Sequence, residues 1–149
     1  MMATPEQFQD ALKALPHGPE FRFLDRLISL ELGKEGVGEY QLLEDSPWLQ
    51  GHLPGEPLLP GVLLIEAAAQ LAGVVAQNDP SEPVLPGLKL TALRNVKILG
   101  TARPGETVRL CARITGRLGA MVQAEAVAFV SGTKVLSAEL TLSGSSNSP

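Results

Sequence analysis

The segment that decides the fold is residues 51–73, which read GHLPGEPLLPGVLLIEAAAQLAG. Its second half is apolar on nearly every side, a pattern typical of a helix that other elements enclose. Its first half carries three prolines that restrict the backbone: Pro54, Pro57 and Pro60. We therefore predict a stiff loop that leads into one long central helix, which opens at Pro60 and Gly61.

Four residues without large apolar side chains share one stripe of this predicted helix. Glu66, Gln70, Gly73 and Gln77 lie at positions i, i+4, i+7 and i+11, which a helix of about 3.6 residues per turn brings to the same side. The stripe faces either solvent at the edge of a groove or a reactive compartment. Helical spacing alone does not distinguish these two cases.

One histidine and one carboxylate in the segment suit acid–base chemistry. If Glu66 is buried among its apolar neighbours, desolvation favours the protonated carboxyl group that a general acid requires. His52 stands 66 − 52 = 14 residues earlier in the stiff loop, where it is either a base held in place or an ordinary histidine bonded to backbone. Gly61 has no side chain, so a ligand oxygen can approach the free N–H groups of the first helical turn.

The rest of the chain predicts one short helix and several strands. Thr4 and Gln7 have the spacing of a capping box, and an apolar stripe at helical spacing follows until Pro16. Alternating polarity predicts strands on both sides of a hairpin connection at 33–38, and then at 88–98 with a bulge near Leu93, at 106–115, at 122–130 and at 136–142. Turns at 116–119 and 131–132 favour an antiparallel meander wrapped around the long helix.

Composition places the chain among folded globular proteins. It has 149 residues, 44% of them hydrophobic, and a net charge of −4. This size fits one domain, which we place at residues 1–143, with a flexible tail at 144–149. The acidic balance disfavours nucleic acid as a partner, and the longest apolar run is too short for membrane insertion. An N-terminus without a secretory signal predicts a cytoplasmic protein.

The thiol and imidazole groups restrict what else the chain can bind. Cys111 is the only cysteine, so an intrachain disulfide is excluded. Its thiol is either slightly activated by the neighbouring arginines or a small surface group. His17 and His52 are the only histidines, and no carboxylate cluster accompanies them. We therefore expect no metal and no cofactor.

The quoted segment resembles the active-site segment of the bacterial 3-hydroxyacyl-[acyl-carrier-protein] dehydratases of the FabZ type. That pattern runs Gly-His-Phe-Pro, then Pro and Pro-Gly-Val, then Glu-Ala with Ala-Gln, and every position matches except Leu53, which replaces the phenylalanine. The resemblance extends upstream to Leu-Pro-His at 15–17 and Asp-Arg at 25–26, and downstream to Arg-Pro-Gly-Glu at 103–106. It therefore covers nearly the whole chain.

The resemblance implies an α+β hot-dog fold, in which an antiparallel sheet wraps around one long central helix and a short N-terminal helix precedes it. It implies dehydration of (3R)-3-hydroxyacyl thioesters to trans-2-enoyl thioesters, a hydro-lyase reaction. By resemblance His52 is the base, Glu66 is the acid, Gly61 supplies the N–H that holds the thioester carbonyl, and Gln70 orients Glu66. Glutamate rather than aspartate at residue 66 argues against double-bond isomerisation.

The resemblance also implies a homodimer or a trimer of dimers, in which the histidine of one subunit meets the glutamate of the other. Candidates to line an acyl tunnel are Phe21, Phe23, Leu53, Val62 and Leu64. The acyl group is carried either on acyl carrier protein, for which Lys89, Arg94, Lys97 and Arg103 form a modest basic patch, or on CoA. Glu56 stands where the family often has arginine, which weakens the prediction of carrier docking.

Two other functions fit the same pattern. A hot-dog acyl thioesterase would use a carboxylate to activate water and would release free thiol. A non-catalytic acyl-binding or assembly subunit would bind the thioester unchanged.

Overall fold

The structure is a computed structural model that describes residues 1–13, 15–49, 55 and 57–145. Two helices and six strands occur in the order α1 (Pro5–Lys13), β1 (Arg26–Glu31), β2 (Glu35–Gln41), α2 (Gly61–Gln77), β3 (Lys89–Ile98), β4 (Thr107–Leu118), β5 (Met121–Val130) and β6 (Thr133–Ser143). Short 3₁₀ turns lie at Pro19–Phe21 and Pro47–Leu49. Within these described ranges, no helix combines the length and apolar character needed to cross a bilayer.

Helix α1 begins as its sequence predicts. The backbone N–H of Thr4 donates to Oε1 of Gln7 at 2.8 Å, which is the reciprocal half of a capping box. The helix buries Ala11 and Leu12 from the predicted apolar stripe. It ends at Lys13, ahead of Pro16, because a proline disfavours helix in the residue before it.

The sheet is antiparallel throughout, with strand order β1-β2-β4-β5-β6-β3. The predicted meander is therefore right for β4, β5 and β6 but wrong for β3, which pairs with β6 at the far edge. The chain leaves β2, runs along α2, and re-enters the sheet at the opposite side. Alternating polarity identifies a strand but does not identify its neighbour, because pairing depends on this crossing.

Helix α2 is enclosed by the sheet, as its all-round apolar pattern predicts. Eleven of its 17 residues are buried, and the helix contacts β2, β4, β5 and β6. Its contact with β2 is close: a Cβ added to Gly36 would lie 2.9 Å from Cγ2 of Val75. The predicted hairpin connection at 33–38 is therefore too long, since Gly36 and Gly38 belong to β2 and leave room for neighbouring side chains.

Three smaller predictions need correction. The single bulge expected near Leu93 is instead two register shifts that flank it, at Leu90/Ala92 and at Arg94/Lys97. Gly116 lies within β4, at a register shift relative to β5, rather than in the turn. The first two residues of the predicted flexible tail are held, because Gly144 N–H donates to Ala120 and Ser145 N–H donates to Pro86. Residues 146–149 lie outside the described part of the chain.

An ionic cluster joins three strands on the outer face of the sheet. Glu39 lies opposite Arg26 on one neighbouring strand and opposite Arg109 on the other, and it accepts hydrogen bonds from both guanidinium groups. The bonds from Arg26, followed by those from Arg109, hold the pKa of Glu39 below its usual range. The three side chains therefore link β1, β2 and β4.

Candidate active site

Glu66 is positioned by its neighbour one turn along α2. Nε2 of Gln70 lies 3.3 Å from Oε1 of Glu66, the contact that their i, i+4 spacing allows. Gln70 is itself fixed, because its Oε1 accepts from the Phe23 N–H at 2.8 Å and its Nε2 donates to the Phe21 carbonyl at 2.9 Å. Gln70 is 2% exposed, so the carboxylate is oriented by a buried and fully engaged amide. The catalytic role of each residue stays a prediction.

His17 also contacts the Glu66 carboxylate. The sequence did not predict His17 as a residue of the site. Nε2 of His17 lies 3.2 Å from the same Oε1, and the two side chains are 29% and 24% exposed. The signal for His17 was present in the Leu-Pro-His at 15–17, but residues 49 positions apart (66 − 17) give no sign of contact until the chain folds. The Glu66 side chain is thus partly buried, between the fully buried and the solvent-facing alternatives that the sequence left open.

Gly61 begins α2, as predicted. The approach to the helix is fixed by Leu59, whose N–H donates to the Ala102 carbonyl and whose carbonyl accepts from Oγ1 of Thr101. Ile98 lies against Gly61, since a Cβ added there would be 3.0 Å from Cδ1 of Ile98. Gly61 and Glu66 are five residues apart, about 7 Å along the axis, so one helix holds both the N–H donor and the carboxylate.

Two residues of the predicted site, His52 and Leu53, lie outside the described residues. Glu56 and the glycine and proline that flank this pair, Gly51 and Pro54, lie outside them too. Their assignments therefore stay predictions.

A cavity of about 600 Å³ borders the polar stripe of α2. It is lined by Glu66, Gln70, Gly73 and Gln77. Of the two alternatives for this stripe, solvent or a compartment, the structure therefore favours the compartment. The other walls are the end of α1 with residues 15–17, and the segment 84–90. Most of these wall residues are apolar: Ala11, Leu15, Val84, Leu85, Leu88 and Leu90.

The described residues that we predicted to line an acyl tunnel do not border this cavity. Phe23 and Leu64 are core residues at 1% and 0% exposure, whereas Val62 is 68% exposed. Leu64 precedes Glu66 by two positions, which turns its side chain to the opposite side of the helix, toward the sheet. Phe21 and Phe23 instead belong to an aromatic cluster with Trp48 and Tyr40. None of these four candidates borders the cavity in the described part of one chain.

The predicted basic patch follows β3 and the loop after it. Lys89, Arg94, Lys97 and Arg103 are all exposed. Lys89 also borders the cavity, whereas Arg94 lies 4.0 Å from Glu139. Lys89 is therefore the cation of this set that lies nearest to the compartment.

Cys111 is half-buried on β4. Burial raises the pKa of its thiol, against a smaller opposing effect of Arg109. A raised pKa disfavours the thiolate, so the alternative of an activated thiol loses support.

Comparison with known proteins agrees with this fold. A family model described as a FabA-like domain matches residues 15–139. The chain is 36% identical over 132 residues to the 3-hydroxyacyl-[acyl-carrier-protein] dehydratase FabZ of Thermoanaerobacter pseudethanolicus, covering 89% of this chain and 92% of that protein. It is 32% identical over 142 residues to the FabZ of Bacillus pumilus, covering 95% and 96%.

Solved structures with the same fold include a chain of the dehydratase heterocomplex ApeI:P from Xenorhabdus doucetiae. Its TM-score is 0.77 at 19% identity, covering 94% of this chain and 92% of that one. The protein smu.793 of Streptococcus mutans UA159, solved bound to acetyl CoA, has a TM-score of 0.67 at 14% identity, covering 89% and 97%. The α+β hot-dog fold expected from the resemblance is confirmed.

The helix enclosed by the sheet, together with these relatives, defines an enzyme of the hot-dog dehydratase class. The chain belongs to the FabZ family of 3-hydroxyacyl-[acyl-carrier-protein] dehydratases, which are hydro-lyases.

Proposed function

We propose that this protein dehydrates (3R)-3-hydroxyacyl thioesters to trans-2-enoyl thioesters in fatty-acid or related lipid biosynthesis. The observation that carries the proposal is the position of Glu66, a carboxyl group held by two side chains at the edge of a largely apolar cavity. Such a cavity suits an acyl chain, and its volume of about 600 Å³ lies within the usual range for small-ligand sites.

The reaction requires a base, an acid and stabilisation of an enolate. The base removes the C2 proton, negative charge develops on the thioester oxygen, and the C3–O bond breaks as the acid protonates the departing hydroxyl, which leaves as water. We assign His52 as the base, Glu66 as the acid and the Gly61 N–H as the oxyanion donor. Gln70 and His17 are positioning residues, since both contact the Glu66 carboxylate.

We assign the site to a homodimer, or to a trimer of dimers. Strand β3 pairs only with β6 among the described strands, so its outer edge presents free backbone groups of the kind that bind a second strand. Large apolar side chains are exposed on β3 and near it: Leu93, Ile98, Leu99 and Val62. Because Ile98 lies against Gly61, this edge adjoins the start of α2, where a partner subunit would approach the site.

The acyl group is carried on acyl carrier protein or CoA in a cytoplasmic reaction. Lys89, Arg94, Lys97 and Arg103 provide the positive charge that either phosphate-bearing carrier requires. Of these, Lys89 borders the cavity.

The test of the proposed function is a mass-spectrometric time course with 3-hydroxyacyl thioesters on both carriers. Loss of one water without release of thiol supports a dehydratase, and the faster carrier identifies the substrate form. Free thiol would identify a thioesterase instead. Unchanged thioester on both carriers, with binding detected by calorimetry, would identify a non-catalytic subunit.

Subunit mixing tests whether His52 and Glu66 of one active site come from different subunits. His52→Ala and Glu66→Gln subunits are each expected to be inactive as homodimers. Their heterodimer should regain about half of wild-type turnover, because one of its two sites then contains both intact side chains. The heterodimer is purified on two different affinity tags, one on each subunit. A dimer with the same two tags, in which both subunits carry Glu66→Gln, serves as the control. A verified heterodimer without activity would place His52 and Glu66 of one site on the same chain.

His17→Ala is expected to lower turnover by roughly tenfold to a hundredfold, because Glu66 loses one of the two groups that orient it. His17→Gln should recover part of this loss, since its amide can still donate to the carboxylate. Steady-state rates of the three proteins, with circular dichroism to verify folding, measure the effect. Wild-type turnover in the alanine variant would remove His17 from the site.

A further inference from the structure

Gln77, in the last turn of α2, lines the cavity at the opposite end of the polar stripe from Glu66. Glu66 and Gln77 both line the cavity and are 11 residues apart, roughly 16 Å along a helix axis. Midway, Gly73 leaves the cavity open, since a Cβ added there would meet nothing nearer than Cδ2 of Leu88 at 4.0 Å. A chain that enters beside Glu66 and follows the stripe would reach Gln77 at this distance.

The Gln77 amide binds the backbone of the segment opposite, which also lines the cavity. Its Nε2 donates to the Leu85 carbonyl at 2.7 Å, and its Oε1 accepts from the Leu85 N–H at 2.9 Å. Both backbone groups of one residue are thus paired with one side chain, as they would be with a neighbouring strand. Leu85 is 7% exposed, so these bonds hold a buried residue against the cavity.

Two further contacts fasten the same segment from its other side. Arg117 donates to the Ala76 carbonyl at 3.1 Å and to the Pro83 carbonyl at 2.8 Å, which ties the end of α2 to the start of the segment. The Ser145 N–H donates to the Pro86 carbonyl at 2.7 Å. Residues 83–86 are therefore held from the helix, from β4 and from the end of β6. A segment held in this way forms a wall that an acyl chain cannot easily displace.

We propose that Gln77 is a specificity-determining residue, which limits acyl-chain length by fixing residues 83–86 across the end of the cavity. This inference rests on the proposed function. A chain longer than the cavity has to displace the Leu85 backbone, and that movement leaves the amide and two backbone groups unpaired in an apolar site. Chains short enough to end before Gln77 do not meet this cost, so the limit applies only to long substrates.

The test compares Gln77→Ala with wild type on 3-hydroxyacyl thioesters from four to sixteen carbons. Removal of the amide should raise kcat/KM for the longest chains, relative to the shortest, by about tenfold or more. Asn78→Ala is the matched control, because Asn78 also carries an amide but uses it to bond the Val74 carbonyl within α2. The control should keep the wild-type length profile.

Two more variants test the same dependence on acyl-chain length. Gly73→Val should shift the profile toward short chains, because its side chain fills the middle of the cavity. Gln77→Met keeps the side-chain length but loses both bonds to Leu85, and it should shift the profile in the same direction as Gln77→Ala, even if the alanine variant folds poorly. An unchanged profile in every Gln77 variant that folds, while wild type still removes water, would overturn the inference. Absence of water loss at every length in wild type would instead refute the proposed function.

Discussion

Glu66→Gln is expected to fold and assemble like wild type and to lose dehydration by about a hundredfold to ten-thousandfold. In wild type, Gln70 and His17 both contact Oε1 of Glu66. The amide has the shape of the carboxyl group, so its oxygen can keep both contacts. It has no proton acidic enough to give to the departing hydroxyl. The Glu66 side chain is about one-quarter exposed, so replacing it should cost little stability.

The measurement is the initial rate of water loss, followed by mass spectrometry, together with the unfolding midpoint. Glu125→Gln is the matched control, since Glu125 is a carboxylate that pairs with Arg113 on the sheet, away from the cavity. The control should keep wild-type turnover, because exposed ion pairs contribute little. Near-normal turnover in Glu66→Gln would exclude Glu66 as the acid and would leave the cavity without a catalytic carboxyl group.

The second large effect is expected at the start of α2, where Gly61→Pro should lower kcat by about a hundredfold to a thousandfold relative to Gly61→Ala. Proline removes the N–H that we assign to the thioester oxygen, whereas alanine keeps it. The first helical position is the one place in a helix where proline is favoured. The backbone is compatible, because Pro60 has φ −55° and ψ 134°, an extended conformation that suits a residue before proline.

Comparison of these two variants separates the donor from steric effects. Both place a Cβ near Ile98, whose side chain would lie 3.0 Å away and must move slightly in either protein. Equal unfolding midpoints would show that the helix start is equally stable in both. Equal kcat values in the two folded variants would mean that the Gly61 N–H does not stabilise the developing charge, and another donor would have to be sought.

The sequence predicts α2 and the ends of α1 well because their signals are local. The capping box at Thr4 and Gln7 needs only residues three apart, and the apolar run after Gly61 needs only its own periodicity. The same holds for the contact of Gln70 with Glu66, which i, i+4 spacing brings together in any helix. Family resemblance added the expected roles of His52 and Gly61, which spacing alone leaves open.

Other features of the site depend on distant parts of the chain. His17 reaches Glu66 only because residues 15–17 lie against α2, and Gln77 reaches Leu85 only because the loop after α2 turns back along the helix. Phe23 and Leu64, which we predicted to line a tunnel, are in the core. Their apolar character and their closeness to the motif do not show which side of an element faces the cavity. Those assignments needed the packing of the whole chain.

By itself the sequence determined that one apolar helix lies inside an antiparallel sheet, that its polar stripe carries a glutamate, and that the chain resembles FabZ-type dehydratases. These are consequences of periodicity and motif, which are properties of neighbouring residues. Only the tertiary structure decided that β3 joins the far edge of the sheet, that His17 meets Glu66, and that a cavity follows the stripe from Glu66 to Gln77. Strand order and cavity walls arise from contacts between segments far apart in sequence, and no local pattern specifies which of those segments meet.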